Sequence, residues 1–98
     1  MIYFAEMVGH KESPIKIGES NKPYNRIKQQ QTGNPYILEV VATMPGNRDT
    51  EKSLHDRFSE WQCEGGTEWF DRNPELDALI NDLKVQKKRR HSLLFMDE

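Results

Sequence analysis

The chain carries a single cysteine, Cys63, in 98 residues. One thiol excludes an intrachain disulfide framework and a cysteine-based zinc site, and it reads as a buried or merely tolerated group. No apolar run approaches the ~20 residues that a membrane-spanning helix needs. The stretch Ile2 to Val8 lacks the basic lead and the small-residue cleavage site of a secretory signal, so a cytoplasmic protein is expected. An excess of positive charge is missing as well. With 14 Lys and Arg against 16 Asp and Glu, the net charge is −2, which argues against coating nucleic acid by bulk electrostatics. There are no internal repeats and no linker. A hydrophobic content of 35% beside a charged content of 31% suits one soluble domain with one core.

Affinity for phosphates must then come from local patches. Lys16, Lys22, Arg26 and Lys28 form one, and Lys84, Lys87, Lys88, Arg89 and Arg90 form another. The second reads either as a solvated helix face or frayed tail, or as a dedicated phosphate-binding arm.

Ile2 to Val8 is short, apolar and aromatic, and residues 15–20 set Ile15 and Ile17 against Lys16, so the two segments predict a hairpin around residues 9–14. Asn21 is placed to cap a helix over 22–31, with Pro23 in its first turn and Gly33 at its end. Residues 36–44 are β-rich and nearly continuously apolar, as expected of a central strand. Asp49 or Thr50 starts a second helix with Leu54, Phe58 and Trp61 as its buried stripe, ended by Gly65-Gly66. Residues 67–71 hold Trp69 and Phe70 in an extended or turn conformation. Asn73 then caps a third helix with Pro74 in its first turn and an apolar face of Leu76, Leu79, Ile80 and Leu83. Residues 93–96 fit a disordered end, a strand or a docking segment. The expected order is β-β-α-β-α-α, an α+β fold over 1–83, followed by a basic tail or helix extension over 84–98.

Several reactive side chains punctuate this frame. Tyr3 and Lys16 stand on adjacent strands and can share a face, where an ammonium would favour the phenolate. The pair fits equally a half-buried strand aromatic beside a solvent-facing lysine. Arg26 lies about one turn into the first helix, where its planar fork can reach a phosphate. Gly18, at the end of the second strand, lets backbone or substrate come close. Glu51 and His55 are four positions apart and share a helix face. One glutamate is chemically sufficient for Mg²⁺, which keeps several of its waters, although such a pair is also ordinary surface decoration. Glu68 is either a second carboxylate at the same cleft or the polar edge of an aromatic plug.

Taken together, IYF, IKIG, an Arg eight residues past that Gly, the run QTGNP, EKSLHDRF and TEWF resemble the GIY-YIG nuclease superfamily. The closest likeness is to its short single-domain phage and bacterial branch, and it covers about residues 2–83. The resemblance implies a small three-stranded antiparallel sheet flanked by helices, and a Mg²⁺- or Mn²⁺-dependent endonuclease acting on DNA. It makes Tyr3 the base or water-orienter, Arg26 the phosphate contact and Glu51 the metal-binding glutamate. Lys16 stands where the second tyrosine of the motif would be and would tune Tyr3. His55 would protonate a leaving oxygen or contact phosphate, and Lys28, Gly18 and Glu68 would help to hold substrate. Met1 replaces the motif glycine. Gln30 occupies the place where many relatives carry His or Tyr, so part of the water-activating network is missing or supplied by His55. The alternative is a nucleic-acid-binding module on the same scaffold without turnover. A chain with no separate DNA-binding domain would take its sequence specificity from dimerisation or from a protein partner.

Overall fold

The computed structural model describes residues 1–64 and 68–96, with side-chain environments up to Lys88. Strands β1 (Ile2–Val8) and β2 (Ile15–Glu19) form the predicted antiparallel hairpin, with Tyr3 opposite Gly18 and Ala5 opposite Lys16. Its connection is held by buried Ser13, whose hydroxyl accepts from the Met7 N–H at 2.8 Å and donates to the Pro14 carbonyl at 2.7 Å. Helix α1 (Pro23–Gln30) follows, then strand β3 (Ile37–Met44), helix α2 (Arg48–Arg57), a single 3-10 turn (Ser59–Trp61), strand β4 (Trp69–Phe70) and helix α3 (Pro74–Met96).

The class is α+β as expected, but the sheet has four strands in the order β3-β1-β2-β4. The expected three strands omitted β4, because two residues are too few to make a periodic pattern. Pairing decides the matter: Phe70 meets Ile15 and Trp69 meets Lys16. Nor is β3 central. It is an edge strand, and β1 occupies the middle with residues 2–5 buried on both faces. The continuous apolar run in β3 has a different cause. Phe4 pairs with Ala42 whereas Ala5 pairs with Val40, so Val41 is an extra residue and the parity of β3 reverses there. Leu38 and Val40 therefore join the face of Tyr3 and Ile27, and Ala42 and Met44 join the face of Phe4 and Leu54.

Helix α1 lacks the expected Asn21 cap. Its N-cap is Lys22, which makes no side-chain bond, and the Ser20 hydroxyl accepts from the Lys22 N–H at 3.0 Å. Helix α2 begins one residue earlier than Asp49, because Asn47 and Thr50 close a reciprocal capping box. Leu54 and Phe58 are buried as expected, but Trp61 falls in the 3-10 turn, out of helical phase, and is 37% exposed. Gly65-Gly66, themselves outside the described residues, do not end helix α2 as expected: it stops at Arg57 with Phe58 as its C-cap, and Gln62 is already extended. The Asn73 side chain caps α3 by accepting from the Leu76 N–H at 2.9 Å. This helix continues through the basic run to Met96, so the backbone of residues 93–96 is helical. Among the described residues no helix is long and apolar enough to cross a membrane.

The larger core lies between one sheet face and helices α2 and α3, around Phe4, Ile17, Phe58, Phe70 and Leu76. The smaller lies under α1, around Tyr3, Ala5, Ile27 and Leu38. Phe70 is fully buried in a two-residue strand, so Phe70→Ala is expected to cost about 3–5 kcal/mol in urea-induced unfolding. A loss below ~1 kcal/mol would mean that β4 is not anchored by this ring.

Candidate active site

The β1–β2 register turns Tyr3, Gly18 and Lys16 toward the face covered by α1. Gly18 is indispensable there: a Cβ on it would lie 2.5 Å from the Tyr3 hydroxyl oxygen and closer still to the ring. The space that glycine leaves is filled by Tyr3 itself, so Gly18 seats the phenol and does not receive substrate directly. Lys16 stands diagonally from Tyr3 and is 7% exposed, which overturns the solvent-facing alternative. Its ammonium pairs with Glu68 Oε2 at 2.6 Å and sits 5.9 Å from the centroid of the Trp69 ring. Glu68 is thus the counter-ion of Lys16 through one carboxylate oxygen.

Helix α1 is pinned through Ile27, and this orientation brings Arg26 and Gln30, one turn apart, to the rim of the phenol. The Gln30 amide is read with its oxygen toward the cations, because that oxygen then accepts from Lys16 Nζ at 3.2 Å and from Arg26 Nε at 3.2 Å. The opposite sense would set the amide NH₂ against two donors and leave its oxygen a single contact, at 3.5 Å, with the Tyr3 hydroxyl. In the preferred sense the amide NH₂ faces the phenolic oxygen. Gln30 therefore joins all three groups, and its place in the sequence as a mere loss of His or Tyr concealed that. The four-residue spacing from Arg26 was the available signal. Lys28, two positions on from Arg26, points to the other flank of the helix and does not join this cluster.

Helix α2 packs against β2 and supplies Glu51 and His55. The partly buried Glu51 carboxylate has no ion pair or hydrogen bond among the described residues. His55 Nε2 lies 2.9 Å from the Ile17 carbonyl oxygen, beyond the end of β4, and the ring tilts against Phe70 at 5.2 Å. A carbonyl can only accept, so Nε2 carries the proton, and Nδ1 alone remains for a ligand. Anchoring α2 to the sheet is the contact that His55 visibly makes.

The pKa of Tyr3 is raised above the ordinary 10.0. Burial is the largest cause and the Glu68 carboxylate adds to it; the Arg26 guanidinium and the Gln30 amide pull it down, and the Glu51 carboxylate pushes it up again. The expected shift toward phenolate through Lys16 is therefore not what the structure gives, because Glu68 neutralises that ammonium. Even so, one hydroxyl lies within electrostatic reach of side chains from α1, from α2 and from the segment before β4. Cys63 lies apart from this cluster. Its thiol donates to Asp71 Oδ1 at 3.3 Å, and burial followed by that carboxylate pushes its pKa up to about 11, which leaves it a poor nucleophile.

A family model, the T5orf172 domain, matches residues 1–86. The chain belongs to the T5orf172 family. That domain is phage-associated and occurs in nuclease contexts, which gives a nuclease-like or nucleic-acid-binding module as the coarse class of this T5orf172 chain. No curated protein and no solved structure matches it.

Two outcomes follow from the seat of Tyr3. Gly18→Ala must displace the ring and is expected to destabilise the T5orf172 domain by about 1–3 kcal/mol in urea unfolding, with Tyr3→Phe showing a much smaller loss. The raised pKa also makes stability fall in alkali. The folded chain keeps a phenolic proton that the unfolded chain releases, so this contribution is whole below pH 10.0 and is lost as pH rises through the folded value. Ultraviolet titration should show one of the three tyrosines ionising last, and Tyr3→Phe should remove that late step.

Proposed function

We propose that this chain is a divalent-metal-dependent endonuclease that hydrolyses phosphodiester bonds in DNA. The observation that carries the reading is that Arg26 of α1 and Glu51 of α2 both lie within electrostatic reach of the buried Tyr3 phenol, with Glu51 lacking any partner among the described residues. No group of three or more His, Cys, Asp or Glu suited to a metal occurs among the described residues. One unpartnered carboxylate is nevertheless a fitting donor set for Mg²⁺ or Mn²⁺, since Mg²⁺ commonly binds through one or two carboxylates, waters and substrate phosphate. Glu51 would hold the ion, which when bound supplies charge neutralisation at the phosphate and the leaving oxygen.

The remaining work falls to the chain. Arg26 has Nε engaged with Gln30 and its terminal nitrogens unengaged among the described residues, so the guanidinium can meet phosphate oxygens and stabilise the charge that grows in the phosphorane. Gln30 faces the phenolic oxygen with its NH₂, which favours turning the Tyr3 proton outward, and a neutral hydroxyl so held orients an attacking water. Deprotonation of Tyr3 would require that its burial and the negative field of Glu68 and Glu51 be offset, and an ion held at Glu51 would supply positive charge there. DNA is preferred to RNA on the family association, and the cytoplasm is the proposed compartment.

The raised phenol and the neutralised Lys16 favour a second reading, a binding module on the same scaffold that has lost turnover. Supercoiled plasmid incubated with Mg²⁺ or Mn²⁺ separates the two. Nicking by the wild type is expected, with Glu51→Ala abolishing it while binding persists, and Arg26→Ala slowing it by roughly 10²–10³. An absence of nicking with either metal would favour the binding module, and equal nicking by all three proteins would assign the signal to a contaminant.

A further inference from the structure

The inward stripe of α3 changes character midway. Leu76, Leu79, Ile80 and Leu83 pack on the core, and the next positions on that face are Lys84 and Lys87. These two lysines are not on the solvated back of the helix. With Leu83 they form one wall of a cleft of about 220 Å³, whose floor is residues 40–43 of the β3 edge and whose opposite wall is Tyr24 of α1. Neither lysine has an ion pair among the described residues. Tyr24 is 58% exposed, and Lys28 stands one turn beyond it on the same flank of α1. A chain of net charge −2 thus keeps two lysines without an ion pair among the described residues in one cleft with an exposed aromatic ring, although Lys84 also borders the pocket of Glu6, Arg72 and Asp77.

We propose that this cleft is a second nucleic-acid contact, in which Lys84 and Lys87 hold the phosphates of single-stranded DNA while a base rests on Tyr24. The inference rests on the reading above that DNA is the ligand. Lysines beside an unstacked aromatic ring are the combination that recognises an unpaired strand, because a duplex keeps its base faces stacked on one another. A protein strand adding to the β3 edge is disfavoured by the same residues. The Val41 bulge breaks the regular ladder, the Gln31 side chain already accepts from the Leu38 N–H at 2.8 Å, and lysines guard the edge. Helix α1 connects the two sites, with Arg26 and Gln30 on one flank and Tyr24 and Lys28 on the other. A strand that crosses this helix reaches both.

The test is fluorescence anisotropy of a labelled single-stranded oligonucleotide and of its duplex, in EDTA, across a salt series, so that binding is read without cleavage. Lys84→Gln/Lys87→Gln is expected to weaken single-strand binding and to flatten the slope of log affinity against log salt by about 1.4. Tyr24→Ala should weaken single-strand binding by about five-fold or more with the slope kept. The control Lys11→Gln/Lys52→Gln should leave the slope near that of the wild type. Overturning results are an unchanged slope in the Lys84/Lys87 variant, an equal flattening in the control, or losses confined to the duplex. A wild type that binds no DNA would overturn this proposal together with the nuclease reading. A wild type that binds, beside a cleft variant that binds identically, would overturn the cleft alone.

Discussion

The seat of the Tyr3 ring on Gly18 is the contact on which the site depends. A phenol can lie flat across the β1–β2 pair only because the opposite residue has no Cβ, and any other side chain there would meet the ring well inside van der Waals contact. Seated in this way, Tyr3 is 1% exposed and its hydroxyl lies beside Gln30 of α1. Burial then raises the pKa of the phenol. Every other group of the cluster acts on a hydroxyl that this one approach has placed.

Charge compensation is arranged in layers around it. Lys16 would be costly to bury alone, and Glu68 makes it tolerable at 2.6 Å while the Trp69 ring centroid lies 5.9 Å from its ammonium. Gln30 then ties Lys16 and Arg26 through one oxygen, which restricts both side chains without cancelling the guanidinium charge. Glu51 approaches from the opposite element and is left without a partner among the described residues. The result is a neutralised inner layer, Lys16 with Glu68, and an outer layer in which Arg26 keeps its charge and Glu51 its free carboxylate among the described residues. With its pKa raised above 10.0, the phenol rests protonated at neutral pH.

The sheet shows how far local pattern carries. The hairpin, the three helices, the Asn73 cap and the stripe of Leu76, Leu79, Ile80 and Leu83 all follow from signals a few residues apart, since caps and helical periodicity are local physics. The place of β3 was misread for a specific reason. A bulge at Val41 puts apolar residues of equal parity on opposite faces, which is indistinguishable in sequence from burial on both sides. The two residues of β4 had no period to reveal them, and Trp61 left its stripe when α2 tightened into a 3-10 turn.

The sequence by itself determined the α+β class, most element boundaries to within a residue or two, and the inventory of a phenol, two cations and acids in family-like order. Tertiary structure alone decided which of these groups meet. It made Glu68 the counter-ion of Lys16 and Gln30 the bridge to Arg26, turned His55 into an anchor on the Ile17 carbonyl, and sent Lys28 to the other flank of α1. The reason is geometric: propensity and periodicity act over a turn or a strand, whereas a pairing such as Lys16 with Glu68 spans the chain and exists only once register and helix rotation are set.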